Sequence, residues 1–155
     1  MDLHEHAVKS LSRARDVVLK DLAALPEEAF TKKFGEKVRT VADIIYEIIQ
    51  VNDHFGADIR GENPAPWSFN GWIYAPEDFK DKAAIMDAFK ASADRLVATA
   101  EGYSSEELEV IIKNDMGEQS CYQGLSFLSL HMWYHSGQFN YIQTLLGDDG
   151  WHWGD

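Results

Sequence analysis

Apolar side chains recur at helical spacing in four long stretches of this 155-residue chain. The spacing predicts helices over about residues 3–25, 41–60, 76–101 and 121–146. Each stretch is followed by a residue that stops a helix: Pro26, Gly61, Gly102 and Gly147. Helices of this length and amphipathic pattern must bury their apolar faces against one another. The sequence therefore predicts an all-α four-helix bundle.

Residues typical of helix starts mark where three of these helices begin. Thr40 is a suitable N-cap for the second helix, and Asp43 favours the positive end of its dipole. Pro76 fits the first turn of the third helix. Ser120 and Gln123 form a capping-box pattern at the start of the last helix.

Two connections contain more than simple turns. Residues 61–75 form a long, crossover-type loop with two Pro, two Gly and two Trp, and its aromatic side chains either carry function or cap one end of the bundle. Between the third and fourth long helices, residues 103–119 predict a short helical turn at SSEEL and then a brief extended stretch. The alternation of Leu108, Val110 and Ile112 indicates that stretch.

The length fits one domain over 1–155, with a core at about 3–147 and a Trp-rich tail at 148–155. In the tail, Trp151 and Trp153 flank His152. The sequence leaves three possibilities open for this tail: it packs against the bundle, binds a partner chain, or is loose.

The charge balance excludes several kinds of partner. The chain has 14 Lys and Arg against 26 Asp and Glu, a net charge of −12. Nucleic acid and anionic membranes attract basic surfaces, so we expect neither as a partner. The single cysteine, Cys121, cannot form an intrachain disulfide, and the sequence shows no apolar signal core or membrane-spanning run. We expect a soluble cytoplasmic protein.

His131 and His135 are the strongest candidates for a functional site. They lie four residues apart in the last helix, so both project from one face and could share a metal ion. A helical wheel places the same face toward the core, together with Gly124, Phe127, Leu128, Gln138, Ile142, Leu145 and Leu146. We expect Gly124 to leave space beside the pair and Gln138 to hydrogen-bond a histidine. The alternative is a pair of core histidines hydrogen-bonded to neighbours.

A third ligand has to come from another helix. Glu47 and His54 share one edge of the apolar face of the second helix, a heptad apart and therefore about 10 Å apart along its axis. Only one of them can bind the same ion as the histidine pair, and either set leaves an open coordination position, as in catalytic zinc sites. The alternative is a solvated edge carboxylate and an ordinary helix-end histidine. His4, His6 and His152 are expected at the surface.

The segment from His131 to Gln138, HMWYHSGQ, resembles the HxxxHxGQ signature of the DinB/YfiT-like metalloenzymes, and Thr40 to Ile45 resembles the start of their second helix. The resemblance spans about Leu3 to Gly147. It implies a four-helix bundle, commonly a homodimer, with a divalent metal held by one histidine of the second helix and two of the last. The family's usual second-helix histidine falls at Glu47 in this chain.

This departure has three interpretations. Glu47 replaces the histidine as a ligand, His54 binds from a shifted position, or the metal site is weakened. Because carboxylates bind zinc, nickel and manganese, Glu47 is the preferred third ligand and His54 is placed near the pocket mouth.

The resemblance implies a metal-dependent enzyme, with zinc, nickel or manganese as the ion. Some members of the family are similar to S-transferases that use a low-molecular-weight thiol as cosubstrate, and others to hydrolases. Tyr134 and Tyr141 flank the histidine stripe and could donate hydrogen bonds to a substrate. Two alternatives stay open: a non-catalytic metal-binding or stress-associated dimeric scaffold, and a degenerate relative without metal.

Overall fold

The predicted all-α four-helix bundle is confirmed. The structure, a computed structural model, describes residues 2–115 and 117–154, so the ends of the predicted 1–155 domain and Met116 lie outside the described residues. The four long helices are α1 (Leu3–Ala24), α2 (Val41–Ile59), α3 (Lys82–Glu101) and α5 (Cys121–Leu145). The shorter elements are a 3-10 turn (Glu27–Phe30), helix α4 (Ser105–Leu108) and strands β1 (Ile111–Asn114) and β2 (Gly117–Ser120).

The helices are arranged so that consecutive ones are not always neighbours. Helix α1 packs against α3 and α5, and α2 packs against the same two helices. Helices α1 and α2 therefore lie across the bundle from each other, and their connection, residues 25–40, crosses its end. The long loop at 60–81 joins the neighbours α2 and α3, so the prediction that it is the crossover connection was wrong. The packing brings α2 beside α5, the two helices with the candidate ligands.

Side-chain caps fix where the helices begin. Thr40 and Asp43 form a reciprocal capping box on α2, and Ser120 and Gln123 form one on α5, as predicted. The predicted start of the third helix at Pro76 was wrong. The chain makes a turn there, and α3 begins at Lys82 because the Asp81 side chain accepts a hydrogen bond from the backbone N–H of Ala84, at 2.8 Å.

The connection before α5 contains a hairpin that the sequence analysis missed. The predicted short helix is present as α4, which includes Leu108, and the extended stretch begins only at Ile111. It pairs antiparallel with β2, a segment of polar residues without apolar alternation. Gly117 allows the tight turn, because its φ of 104° is unfavourable for other residues.

The loop at 60–81 folds back along α2. The Trp67 ring lies 5.3 Å from the ring of Phe55, and Ile73 is buried. At the other end of α2, the backbone N–H of Ala75 donates to Asp43. The aromatic residues of this loop therefore cover one side of α2, rather than only capping an end of the bundle.

The tail packs against the bundle through Trp153, the first of the three possibilities. The Trp153 indole N–H donates to the buried Asp21 carboxylate at 2.7 Å, and its ring contacts the edge of Trp133. Trp151, by contrast, is exposed. Among the described helices, none is long and apolar enough to cross a bilayer.

Candidate metal centre

Helix α5 places the histidine pair at the boundary between core and surface. The His135 side chain is fully buried and that of His131 is 13% exposed. The predicted core-facing stripe was partly wrong, because Phe127 and Leu145 are exposed. Leu128 and Ile142 are buried as predicted, and the buried residues of this face also include Leu125, Met132 and Phe139.

Gly124 has a different role from the predicted one. It lies two turns before His131, at a point where α5 touches α2. A Cβ at this position would lie 3.0 Å from Cδ1 of Ile59. The absent side chain therefore lets α2 and α5 approach closely, rather than leaving space beside the histidines.

Glu47 of α2 completes a three-residue cluster with the histidine pair. Its Oε1 lies 3.3 Å from Nε2 of His135 and 3.5 Å from Nε2 of His131. The two Nε2 atoms are 3.0 Å apart, and the imidazole rings are nearly perpendicular. Their ligand atoms all lie within 4.8 Å of one another. Among the described residues, no second group of three or more His, Cys, Asp or Glu side chains comes together in this way.

His54, the other candidate for the third ligand, does not join this cluster. Its Nε2 lies 3.3 Å from a carboxylate oxygen of Asp115 and 3.9 Å from one of Asp58. Its ring packs edge-on against Phe55 and Trp67. The rise of α2 separates His54 from Glu47 by about two turns, as the sequence spacing required.

The spacing of the three ligand atoms suits a small divalent ion. Zinc binds nitrogen and oxygen ligands at about 2.0–2.2 Å, so two ligands in a tetrahedral site lie about 3.3–3.6 Å apart. The separations of 3.0, 3.3 and 3.5 Å between the Glu47, His131 and His135 atoms are close to this range. Two imidazoles and one carboxylate also match the ligands that zinc, nickel and manganese accept.

Gln138 sets the protonation pattern of His135. Its Oε1 lies 2.7 Å from Nδ1 of His135. Because this oxygen only accepts, Nδ1 carries the proton and donates, and Nε2 presents its lone pair toward Glu47 and His131. The predicted hydrogen bond from Gln138 to a histidine is confirmed, and it leaves His135 in the tautomer that a metal ion requires.

The sequence analysis missed Arg39, which is buried just before the N-cap of α2. Its guanidinium forms an ion pair with Oε2 of Glu47, the carboxylate oxygen that points away from the histidines. The same guanidinium lies over the ring of Trp72, 4.4 Å from its centroid. Two loops thus hold Glu47 in place, and no motif in the sequence links residues 39, 47 and 72.

The surroundings favour an ionised Glu47 and a neutral His131. Burial acts to raise the pKa of the Glu47 carboxyl, but the interactions with His131 and His135 and the charge of Arg39 outweigh it and hold the pKa well below its usual range. Burial lowers the pKa of His131, and the interaction with Glu47 opposes this only in part. A carboxylate and a neutral imidazole are the forms that bind metal ions.

A pocket of about 620 Å³ adjoins the cluster. Three of its lining residues contact the cluster: Arg39 pairs with Glu47, Gln138 bonds His135, and the Tyr134 ring packs against that of His135. Tyr141, the other tyrosine suggested by the sequence, also lines this pocket. Both tyrosines therefore lie where a bound molecule would reach them.

The remaining histidines lie outside the cluster. His6 and His152 are exposed, as predicted. His4 is half-buried, and its Nδ1 lies 2.7 Å from the backbone carbonyl oxygen of Tyr103. The expectation of a surface position was therefore only partly correct for His4.

A helical bundle in which two histidines and a carboxylate converge from neighbouring helices has the architecture of a metal-binding four-helix bundle. The sequence model of the DinB family matches residues 1–150. The chain therefore belongs to the DinB family, as the resemblance indicated.

Solved structures share this fold at low sequence identity. A DinB-like protein from Bacillus cereus is 16% identical, with a TM-score of 0.71 and 92% of each chain covered. A conserved protein from Enterococcus faecalis is 18% identical, with a TM-score of 0.73, over 96% of this chain and 99% of that one. YfiT from Bacillus subtilis, described as a probable metal-dependent hydrolase with an unusual four-helix bundle topology, is 10% identical, with a TM-score of 0.72, over 94% and 89%. No curated protein sequence matches the chain.

Proposed function

We propose that this protein is a divalent-metal-dependent enzyme that acts on a small molecule, by hydrolysis or by transfer of a low-molecular-weight thiol. The observation that carries the proposal is the convergence of Glu47, His131 and His135 at separations suited to zinc, nickel or manganese. The description of the YfiT protein as a probable metal-dependent hydrolase supports it.

Each residue of the site has a distinct proposed role. Glu47, His131 and His135 would hold the ion, and Gln138 would fix the orientation of His135. When bound, the ion would supply Lewis-acid polarisation and lower the pKa of a water or thiol at its open position. Arg39 would orient the Glu47 carboxylate through Oε2, with Oε1 directed at the two histidines.

The burial of the cluster favours a second candidate, a non-catalytic metal-binding protein. His135 is fully buried, and little of His131 and Glu47 is exposed. A separate alternative is a metal-free relative, because the ion pair with Arg39 would balance the charge of Glu47 without a metal ion. The pocket beside the cluster favours the enzyme, because it gives a small molecule access to Arg39, Gln138 and Tyr134.

Activity assays on metal-loaded protein test the proposal. Tag-free protein is stripped with chelator, reloaded with zinc, nickel or manganese, and assayed for ester and amide hydrolysis and for thiol transfer to electrophiles. We expect one of these activities to appear with metal and to be lost in His131→Ala but kept in His54→Ala, which changes a histidine outside the cluster. Stoichiometric metal without turnover in any assay would favour the non-catalytic candidate.

We also propose partners and a location for this protein. The net charge of −12 supports a protein that binds neither nucleic acid nor anionic membranes. We propose a cytoplasmic homodimer. Light scattering on the purified protein checks the oligomeric state, and a mass of 17.6 kDa, that of one chain, would contradict it.

A further inference from the structure

The residues that line the pocket beside the cluster carry a net positive charge, whereas the chain as a whole is acidic. The chain carries 26 acidic and 14 basic residues, yet the described lining includes no carboxylate and one cation, Arg39. Most of the remaining lining is apolar or aromatic, including Val38, Ile44, Ile142 and Leu145. This combination suits a ligand with an apolar body and one negative charge.

The guanidinium of Arg39 has N–H donors whose arrangement suits a planar anion. Its guanidinium offers five N–H donors in a rigid fork, and one of its nitrogens, Nη1, is paired with Glu47. Within the described chain, no other hydrogen bond of this guanidinium occurs, and none of its nitrogens is both buried and unpartnered. The Trp72 ring beneath it and the Glu47 carboxylate beside it restrict its orientation. Donors that are free, fixed in place and at the wall of a pocket are suited to bind a carboxylate.

We propose that this pocket binds the carboxylate of a small amphipathic substrate, with Arg39 as the residue that selects for the anion. The inference rests on the proposed function, since it names the substrate class for the same site. The apolar body would lie against Val38, Ile142 and Leu145, and the Tyr134 and Tyr141 hydroxyls are available for further polar groups. The charge of a bound divalent ion next to Glu47 would strengthen the preference for an anion.

Calorimetry with a matched pair of probes tests the proposal. 4-Phenylbutyrate and 4-phenylbutanamide have the same body and differ in the negative charge. We expect the wild-type protein to bind the carboxylate about 10-fold more tightly than the amide, since charge-assisted bonds are the stronger ones. Arg39→Gln should reduce the preference to about 2-fold or less, and Arg39→Lys should restore only part of it, because lysine lacks the fork.

Two controls separate recognition from folding. Arg13→Gln removes an exposed arginine that is not part of the pocket lining and should leave the preference unchanged. Trp72→Phe leaves Arg39 in place but removes the fluorophore stacked on it. We expect the carboxylate to change the tryptophan fluorescence of the wild-type protein and to change that of Trp72→Phe far less, which locates the ligand even if the Arg39 variants fold poorly.

The measurements distinguish this proposal from the proposed function. All titrations are run on metal-loaded and on chelated protein, with metal content measured by mass spectrometry. A carboxylate preference in protein that takes up no metal would support the pocket and refute the metal-dependent enzyme. Metal uptake with equal affinity for acid and amide, or a preference that persists in Arg39→Gln, would overturn the assignment of Arg39.

Discussion

At the scale of single residues, the contacts of Gln138 and Arg39 with the cluster bear on the proposed metal site. Gln138 makes His135 present an unprotonated Nε2, and Arg39 occupies only the carboxylate oxygen of Glu47 that faces away from the histidines. Both contacts leave the ligand atoms available. These contacts are compatible with the proposed metal site at Glu47, His131 and His135.

The Gln138 contact gives the first prediction. Gln138→Leu removes the acceptor for Nδ1 of His135, so zinc affinity should fall about 10–100-fold, as for other residues that orient metal ligands. Gln138→Glu keeps an oxygen acceptor and should stay close to the wild-type affinity. Competition titrations with a chromogenic chelator measure both variants. Equal affinities in Gln138→Leu and wild-type protein would show that this hydrogen bond does not orient the ligand.

A second prediction concerns the pH dependence of stability. Burial raises the pKa of Asp21, although hydrogen bonds from Ser136, Trp153 and Asn140 oppose this. Because the folded pKa lies above the unfolded value of about 3.9, stability from Asp21 is present at low pH and is lost as the pH rises through the folded pKa.

Asp21→Asn isolates this contribution. The amide keeps an oxygen for Trp153 and Asn140, which both donate to Oδ1, and its NH₂ can donate to Ser136. Thermal unfolding from pH 4 to 7 should show the Tm of Asp21→Asn rising relative to that of the wild-type protein. A Tm difference that is constant or shrinks with pH would contradict the raised pKa.

At the scale of elements, α5 carries two glycines with opposite surroundings. A Cβ at Gly124 would press on Ile59 of α2, whereas a Cβ at Gly137 would meet no atom within 4 Å. The first glycine lets α2 approach α5 closely at Ile59. The second glycine costs helix stability without a packing reason.

These glycines form a matched pair for mutation. Gly137→Ala should stabilise the protein by up to about 1 kcal/mol, from helix propensity alone. Gly124→Ala gains the same propensity but must displace Ile59, so its unfolding free energy should lie at least about 1 kcal/mol below that of Gly137→Ala. Urea unfolding of both variants measures the difference. Equal stabilities would show that the contact at Ile59 relaxes without cost.

Local signals explain which elements the sequence predicted correctly. The capping boxes at Thr40 and Ser120 and the helical periodicity depend on residues close in sequence, so the starts of α2 and α5 were predicted. The start of α3 was misplaced because Pro76 suits a turn as well as a helix. The β1–β2 hairpin was missed because its second strand, GEQS, has no apolar alternation and is held by backbone pairing with β1.

At the scale of the whole molecule, the site depends on which helices are neighbours. The spacing of His131 and His135 predicted a shared face, and the position of Glu47 made it a candidate, but neither fixes the packing of α2 against α5. That packing follows from the crossing of residues 25–40, which places α2 opposite α1. Arg39 and Trp72 come from separate loops, and neither their contact with each other nor the pairing of Arg39 with Glu47 leaves a pattern in the sequence.

Metal content tests the central claim most directly. Tag-free wild-type protein, the variants Glu47→Ala, His131→Ala and His135→Ala, and the control His54→Ala are reconstituted with zinc, nickel and manganese, dialysed and measured by plasma mass spectrometry. We expect about one ion per chain in the wild-type protein and in His54→Ala, and a loss of at least about 10-fold in affinity in each cluster variant. No bound metal in the reconstituted wild-type protein, or equal metal in wild-type protein and His131→Ala, would contradict the metal site.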